Sequence, residues 1–260
     1  MDYDLERYDR FGWDYEHHVP TDDRERTWYE RFARRTGGPV LDLACGTGRL
    51  LGPIASAGFE VVGVDLSQTM LDLARQRIAE LPTAVRQRIQ LLRQDMSRFR
   101  LVRRFGLAYI ADNSFRELKT RSQHLSCLRC VYDHLRPDGT FLMTERRFDP
   151  ASFVDGRKAF PGSEPIQNPA TSEQVSRRIE IELSEDGKWI RGVMVYKTVH
   201  MDGRETTHPC PFESPVLLTD DYLALFGEVG FSANVFAGYE ERPDDGEHPT
   251  LCFVCSKAQG

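Results

Sequence analysis

Short apolar runs alternate with segments of helical periodicity along the first 150 residues of the chain. Each apolar run is short enough to be a strand, and each helical segment is long enough to return the chain to the start of the next strand. Strands and helices that alternate in this way are typical of βαβ units, which build a parallel sheet. The apolar runs are 39–43, 60–65, 89–93, 105–110 and 140–145, and the helical segments are 49–57, 68–81 and 121–135.

Both ends of the chain extend this pattern. A helix is expected before residue 37, with Trp28, Tyr29 and Phe32 on one face, because Gly37-Gly38 provides a stop signal. The C-terminal elements are a helix at 219–229 and strands at 231–238 and 250–256, which should close the sheet.

The rhythm changes after Pro150. Residues 151–170 are rich in proline, glycine and polar side chains, which predicts a long loop. Alternating runs at 177–184, 188–201 and 204–208 follow, and Asp-Gly pairs between them are a strong hairpin signal. We therefore expect an antiparallel β insertion. The predicted segments are a helical N-terminal segment at 1–36, a core at 37–150, the insertion at 151–216, and a final helix with closing strands at 217–260.

Composition narrows the possible partners and locations. The net charge of −6 argues against a nucleic-acid partner, because neutralising phosphates requires a basic surface. No apolar run approaches the roughly 20 residues that a membrane span needs, and the first residues lack the features of a signal peptide. We expect a cytoplasmic protein without a membrane segment.

The six cysteines include two Cys-x-x-Cys pairs, a spacing that invites a zinc interpretation. The pair Cys127/Cys130 lies in a helical pattern. The pair Cys252/Cys255 lies in a predicted strand, where positions i and i+3 face opposite sides. Neither context is the tight turn of a zinc ribbon, so we predict buried thiols and no metal site.

The segment from Val40 to Arg49 carries the strongest chemical signal. A buried strand runs into Asp42 and then into a turn in which Gly46 and Gly48 allow a ligand to approach the backbone. A dinucleotide-binding turn needs a third glycine where this chain has Arg49, and no phosphate-binding P-loop pattern occurs. The second strand ends in Asp65, which is placed to accept hydrogen bonds from ribose hydroxyls. Two acids without a basic phosphate clamp suit S-adenosylmethionine.

Four segments together resemble the successive motifs of class I S-adenosylmethionine-dependent methyltransferases, and in particular the small-molecule enzymes, many of which methylate nitrogen. Two departures are Ala44 in place of the first motif glycine and Pro137-Asp138-Gly139 in place of Pro-Gly-Gly. The resemblance implies a Rossmann-like, doubly wound α/β fold with a seven-stranded, mostly parallel sheet, and S-adenosylmethionine as cofactor. The matching segments are Asp42–Gly48, Val64–Leu71, Gln94–Met96 and His134–Gly139.

The resemblance also assigns roles to single residues. Asp42 would act on the methionine amine of the cofactor, directly or through water, and Asp65 on its ribose. Asp95 would accept from the adenine amine while the backbone N–H of Met96 meets the ring. The full set of predicted cofactor-binding residues is Tyr15, Asp42, Ala44, Gly46, Gly48, Asp65, Leu66, Met70, Asp95, Met96 and Asn113.

Each assignment has a structural alternative. Asp65 is also a favourable acid at a helix N-terminus, Asp95 a turn acid, and Met70 a core side chain. Asn113 either lies near the sulfonium or caps its own loop. Tyr15, in the segment that resembles an N-terminal lid, either contacts the cofactor or is a buried aromatic of an amphipathic helix.

The expected reaction is in-line methyl transfer to an N or O atom of a small molecule, a step that depends on positioning more than on covalent catalysis. No catalytic triad is found, and the catalytic residues stay open: a general base could be any of His17, His18, His200 and His208, while His124 could face the cofactor cleft. The segment after the fourth strand, 110–115, lacks the two prolines typical of base methylation. The insertion would cover the acceptor or form a homodimer. A nucleic-acid or protein methyltransferase, a nicotinamide-dependent dehydrogenase and a non-catalytic binding protein remain alternatives.

Overall fold

The computed structural model describes residues 5–18, 22–168 and 170–258, without the side chains of 15–18. The chain forms two compact units. The core unit comprises residues 21–147 and 218–260, and the insertion unit comprises residues 1–20 and 148–217. Helix 23–36 therefore groups with the core, whereas residues 1–20 group with the insertion. The four segment boundaries proposed from the sequence stay a prediction.

The core unit is an α/β sandwich in which, among the described residues, seven strands form one sheet in the order β11-β12-β5-β4-β1-β2-β3. β12 runs antiparallel to β5 and β11, while the other neighbours are parallel. This confirms the predicted Rossmann-like fold. The strands are β1 Val40–Leu43, β2 Val61–Asp65, β3 Ile89–Arg93, β4 Phe105–Ile110, β5 Leu135–Arg146, β11 Phe231–Ala237 and β12 Thr250–Lys257. The helices are α2 Asp23–Thr36, α3 Leu51–Ser56, α4 Gln68–Ala79, α5 Thr83–Arg86, α6 Arg121–His134 and α7 Thr219–Val229.

The core lies on both faces of the central strands. Every residue of β1 and β4 is buried, as expected for parallel strands covered by helices on each side. Helix α2 packs Trp28, Tyr29 and Phe32 into this core, as its sequence predicted. It begins at the cap residue Asp22, whose carboxylate accepts from the Arg24 N–H at 2.8 Å, and it ends at the left-handed Gly37.

The insertion unit contains helix α1 (Glu6–His18) and an antiparallel sheet in the order β10-β9-β8-β6, with β7 beside β8. Its strands are β6 Arg157–Phe160, β7 Ile166–Gln167, β8 Gln174–Leu183, β9 Trp189–Val199 and β10 Glu205–Pro215. Within this unit the ring of Phe11 stacks on Tyr196 with centroids 3.7 Å apart.

Two expectations for the insertion were wrong in part. The predicted loop 151–170 contains β6 and β7, which pair with β8. The third run extends beyond residue 208 to Pro215, although it contains Pro209 and Pro211. Proline is tolerated because β10 is an edge strand, where alternate N–H groups have no strand to bond.

The cysteines are free thiols, and those of Cys127, Cys252 and Cys255 are buried while that of Cys130 is half-buried. Among residues 5–18, 22–168 and 170–258, no helix is long and apolar enough to cross a membrane.

Leu142 of β5 has no exposed surface and lies in the central core cluster. We expect Leu142→Ala to lower the free energy of unfolding by about 2–5 kcal/mol, because it removes buried methyl groups and leaves a cavity. Urea denaturation measures this. The fully exposed Val102 provides the control, and Val102→Ala should change stability by less than about 0.5 kcal/mol. Equal effects of the two substitutions would contradict the packing described here.

Candidate cofactor site

The turn after β1 has the backbone shape that its sequence predicted. Ala44, Gly46 and Gly48 all have positive φ, at 56°, 55° and 77°. A Cβ on Gly46 would lie 3.3 Å from the Met70 Cε, and one on Gly48 would lie 3.2 Å from the Ala74 Cβ. Ala44 adopts the same left-handed region with a side chain, which explains why glycine is the easier residue at that motif position.

Asp65 connects this turn to the start of α4. Its Oδ2 accepts from the Gly46 N–H at 2.8 Å, and its Oδ1 accepts from the Ser67 N–H at 2.9 Å. Ser67 caps α4, because its hydroxyl oxygen accepts from the Met70 N–H at 3.2 Å. A carboxylate accepts about four hydrogen bonds, so these two bonds are compatible with a ribose role. The carbonyl oxygen of Leu66, the residue between Asp65 and Ser67, accepts from Arg93 Nε at 3.0 Å.

Asp42 is a buried acid beneath the same turn. Only 3% of its surface is exposed, and the Tyr109 hydroxyl donates to its Oδ2 at 3.0 Å. Burial raises the pKa of Asp42 to about 8, although the bond from Tyr109 and the charge of Arg49 favour the ionised form. A buried carboxyl of this kind gains a charge partner when a cationic ligand arrives.

Arg49 occupies the position at which a dinucleotide-binding turn has its third glycine. Its side chain forms an ion pair within the protein. Its guanidinium makes a two-bond contact with Glu25 of α2, and the Nη2–Oε1 distance is 3.0 Å. The two side chains are only 10% and 5% exposed. Sequence reasoning missed Glu25. A single glutamate in a helix reads as a surface residue, and its partner lies 24 positions away.

Asp95 and Met96 follow β3 in a tight turn. Asp95 Oδ1 accepts from both the N–H and the hydroxyl of Ser97 at 2.8 Å, and Arg98 Nε lies 3.2 Å from Asp95 Oδ2. These are the contacts of a turn acid. Met96 and Met70 are buried, as core side chains would be. The adenine and packing roles of these residues stay predictions.

Asn113 is found in the loop after β4, where its side chain fastens the loop to β5. Its Oδ1 accepts from the backbone N–H of Arg146 at 2.5 Å, and the backbone N–H of Asn113 donates to the Thr144 carbonyl oxygen at 3.1 Å. These bonds match the loop-capping alternative, and a cofactor contact stays a prediction. The side chain of Tyr15 lies outside the described residues.

The sheet brings the predicted residues to one edge. In the order β4-β1-β2-β3, Asp42, Asp65, Asp95 and Asn113 lie at or just beyond the carboxyl ends of neighbouring parallel strands. The strand order reverses between β1 and β4, and ligands of such sheets bind at this switch point. The acceptors suit S-adenosylmethionine, which offers a cationic end, ribose hydroxyls and an amine. A Cβ at Gly46 would press on the Met70 side chain in a backbone conformation that favours glycine.

His124 is one of the histidines that the sequence left as able to face the cleft, and the structure buries it. It is 2% exposed, and its ring lies 4.7 Å from that of Phe115, centroid to centroid. Burial lowers its pKa to about 4, which keeps the ring neutral.

In the part of the chain that the structure describes, no group of three or more His, Cys, Asp or Glu residues is arranged to hold a metal ion.

Comparisons with known proteins agree with this geometry. Residues 40–139 match a family described as a methyltransferase domain. YqeM of Bacillus subtilis (strain 168), which is named as a methyltransferase, is 34% identical over 147 residues, 56% of this chain and 55% of that protein. A dTDP-3-amino-3,6-dideoxy-alpha-D-glucopyranose N,N-dimethyltransferase of Streptomyces fradiae is 29% identical over 199 residues, 76% of this chain and 72% of that protein. The CcbJ methyltransferase structure from Streptomyces caelestis has a TM-score of 0.78 at 19% identity, and each chain is covered to 100%.

Residues 40–139 therefore carry a methyltransferase domain, in agreement with the class I S-adenosylmethionine-dependent enzymes that the four motifs resemble. S-adenosylmethionine is the cofactor of this class, and the dehydrogenase alternative is set aside. The chain spans about half the length of several curated relatives that it matches, 55%, 46% and 44%.

The Glu25–Arg49 pair generates a stability prediction. Glu25→Gln leaves the guanidinium buried without its charge partner, so we expect a loss of about 3 kcal/mol or more in unfolding free energy. Urea denaturation measures it. The exposed pair Glu60–Arg103 supplies the control, because Glu60→Gln should cost less than about 1 kcal/mol. A loss for Glu25→Gln no greater than that of the control would show that the buried pair is not structural.

The raised pKa of Asp42 generates a pH prediction. Binding a cationic cofactor favours the ionised carboxylate, so affinity should fall as pH drops below about 8, by about tenfold per pH unit. Calorimetry with S-adenosylmethionine at several pH values measures this dependence. Asp42→Asn cannot ionise, so the difference between the two proteins isolates this group from the titration of the cofactor amine. Parallel pH profiles would contradict the assignment of Asp42.

Proposed function

We propose that this protein transfers the methyl group of S-adenosylmethionine to the amino nitrogen of a sugar or a similar small molecule. The observation that carries the proposal is the extent of the match to the Streptomyces fradiae dimethyltransferase. It spans 199 residues, whereas the methyltransferase domain match is confined to residues 40–139. Similarity to an amino-sugar enzyme therefore reaches beyond the cofactor-binding half.

The acidic character of the site supports an amine acceptor. Asp42, Asp65 and Asp95 follow neighbouring strands, and the whole chain has a net charge of −6. An acceptor that is cationic in solution is attracted by a protein of net negative charge, whereas nucleic acid is repelled. The same charge argues for a small amine over the nucleic-acid alternative.

The bound cofactor supplies an electrophilic methyl group, and the chain supplies positioning. Asp65 fixes the turn that holds the ribose, and Asp42 compensates the cationic end in a buried environment. The turn after β4 closes the acceptor side at the switch point. Methyl transfer from a sulfonium needs orientation and exclusion of water more than a covalent intermediate. The acceptor nitrogen attacks as the neutral amine, and its proton is released after transfer.

A direct assay tests the proposal. The protein is incubated with S-adenosylmethionine and the dTDP-3-amino sugar, with the matching 3-hydroxy sugar, with a short peptide and with a DNA oligonucleotide. We expect S-adenosylhomocysteine and a methylated product with the amino sugar alone. Methylation of the hydroxy sugar, peptide or oligonucleotide in preference to the amine would overturn the proposal.

Asp65→Asn provides the matching cofactor test. Losing a charge-assisted hydrogen bond to ribose should weaken S-adenosylmethionine binding by about tenfold or more. Calorimetry measures this directly. Asp72 lies on α4, the helix that follows Asp65, and its side chain is more than half exposed, so Asp72→Asn should leave the affinity unchanged. Unaltered binding by Asp65→Asn would reject its ribose role while leaving the acceptor proposal to the transfer assay.

A further inference from the structure

Three charged or hydroxylated side chains meet inside the core unit without a role in the chemistry above. Arg116 follows β4, Glu145 is near the end of β5, and Tyr222 is in α7. Arg116 Nε lies 2.8 Å from Glu145 Oε2 and 3.1 Å from the Tyr222 hydroxyl oxygen. The set joins segments that are far apart in the sequence.

Such a set is costly to bury. The side chain of Glu145 has no exposed surface, and that of Arg116 is 13% exposed. Burial raises the pKa of Glu145 to about 7, while the charge of Arg116 opposes this shift. Since apolar residues of similar volume often stabilise a fold equally well, packing alone does not account for an arginine at this place.

Arg116 closes a ring of hydrogen bonds around the turn after β4. Its backbone N–H donates to the Asn113 carbonyl oxygen at 3.1 Å, and its guanidinium donates to the Arg146 carbonyl oxygen. Arg146 in turn donates its N–H to Asn113 Oδ1 at 2.5 Å. The Asp112 N–H donates to Thr144 Oγ1 at 3.0 Å. Both residues of the turn, Asp112 and Asn113, are thus hydrogen-bonded to β5.

The turn needs this support because its backbone is strained. Asp112 and Asn113 have φ values of 52° and 64°, two consecutive left-handed residues that are not glycine. Each costs of order 1 kcal/mol and persists only where the surroundings hold it. The turn leaves β4 beside β1, at the switch point where the cofactor turn also begins.

We propose that Arg116 is a positioning residue for methyl transfer, holding the Asp112–Asn113 turn in its left-handed conformation at the acceptor side of the site. The part of its test that measures kcat rests on the proposed function. Arg116 acts through the turn and contacts no reacting atom. The planar guanidinium is essential because it meets a carboxylate, a hydroxyl and a carbonyl at once, which an ammonium cannot do in the same geometry.

Arg116→Lys tests the proposal with two readouts. Hydrogen exchange at the Asp112 and Asn113 amides should quicken about tenfold or more, while the amides of β4 keep their protection. The kcat for the acceptor should fall by about tenfold or more, with S-adenosylmethionine affinity changed less than about twofold. Arg121→Lys is the control, because Arg121 pairs with Glu228 of α7 yet does not touch the turn. It should match the wild type in both readouts.

Unchanged exchange at these two amides would overturn the proposal, as would quickened exchange with unchanged kcat. A kcat loss accompanied by an equal loss of cofactor affinity would also overturn it, since that pattern indicates general disruption. If Arg116→Lys does not fold, Tyr222→Phe replaces it, and the same changes of about threefold are expected because one of the partners is lost.

The proposed function fails separately. If the wild type methylates a hydroxyl and no amine, the amine proposal is wrong, and kcat measured with the hydroxyl acceptor still decides the role of Arg116. If no acceptor of either class is methylated, the amine proposal is wrong, and hydrogen exchange at the Asp112 and Asn113 amides still decides whether Arg116 holds the turn.

Discussion

The carboxylate of Asp65 joins the turn after β1 to the start of α4, at Gly46 and Ser67, which lie 21 positions apart in the sequence. One oxygen accepts from Gly46 in the turn after β1, and the other accepts from Ser67 at the start of α4. The conformation of Gly46, with positive φ and no Cβ beside Met70, is what brings its N–H within reach. The same side chain therefore shapes the turn after β1 and the start of α4 in the absence of any ligand.

Glu25, Arg49 and Asp42 bring buried charges close to one another near the turn after β1. Glu25 neutralises Arg49, and Arg49 in turn favours the ionised form of Asp42, whose burial favours the neutral one. Because the helix α2 supplies Glu25, a helix outside the cofactor motifs adjusts the electrostatics of the first motif. Buried ion pairs of this kind seldom add net stability, so their position near the cofactor turn suggests a contribution to ligand binding.

Local patterns in the sequence predicted the sheet, the helices and the motif loops, because strand length, glycine stops and acidic strand ends are properties of neighbouring residues. Contacts between distant residues were beyond reach. Glu25 gave no signal in a helix rich in charge, and Tyr222 lies 106 positions from Arg116. The third run of the insertion was predicted to end at residue 208, whereas β10 continues through Pro209 and Pro211 because it lies at the edge of its sheet. Tertiary position, not propensity, decided these cases.

The prolines of β10 also limit how two copies of the insertion unit can associate. Pro209, Pro211 and Pro215 alternate along the outermost strand and occupy positions whose amides would otherwise point away from β9. A neighbouring chain that tried to extend the sheet by β-augmentation would find those donors missing. Strand pairing at this edge is therefore disfavoured, and an assembly beside β10 would depend on side chains more than on backbone amides.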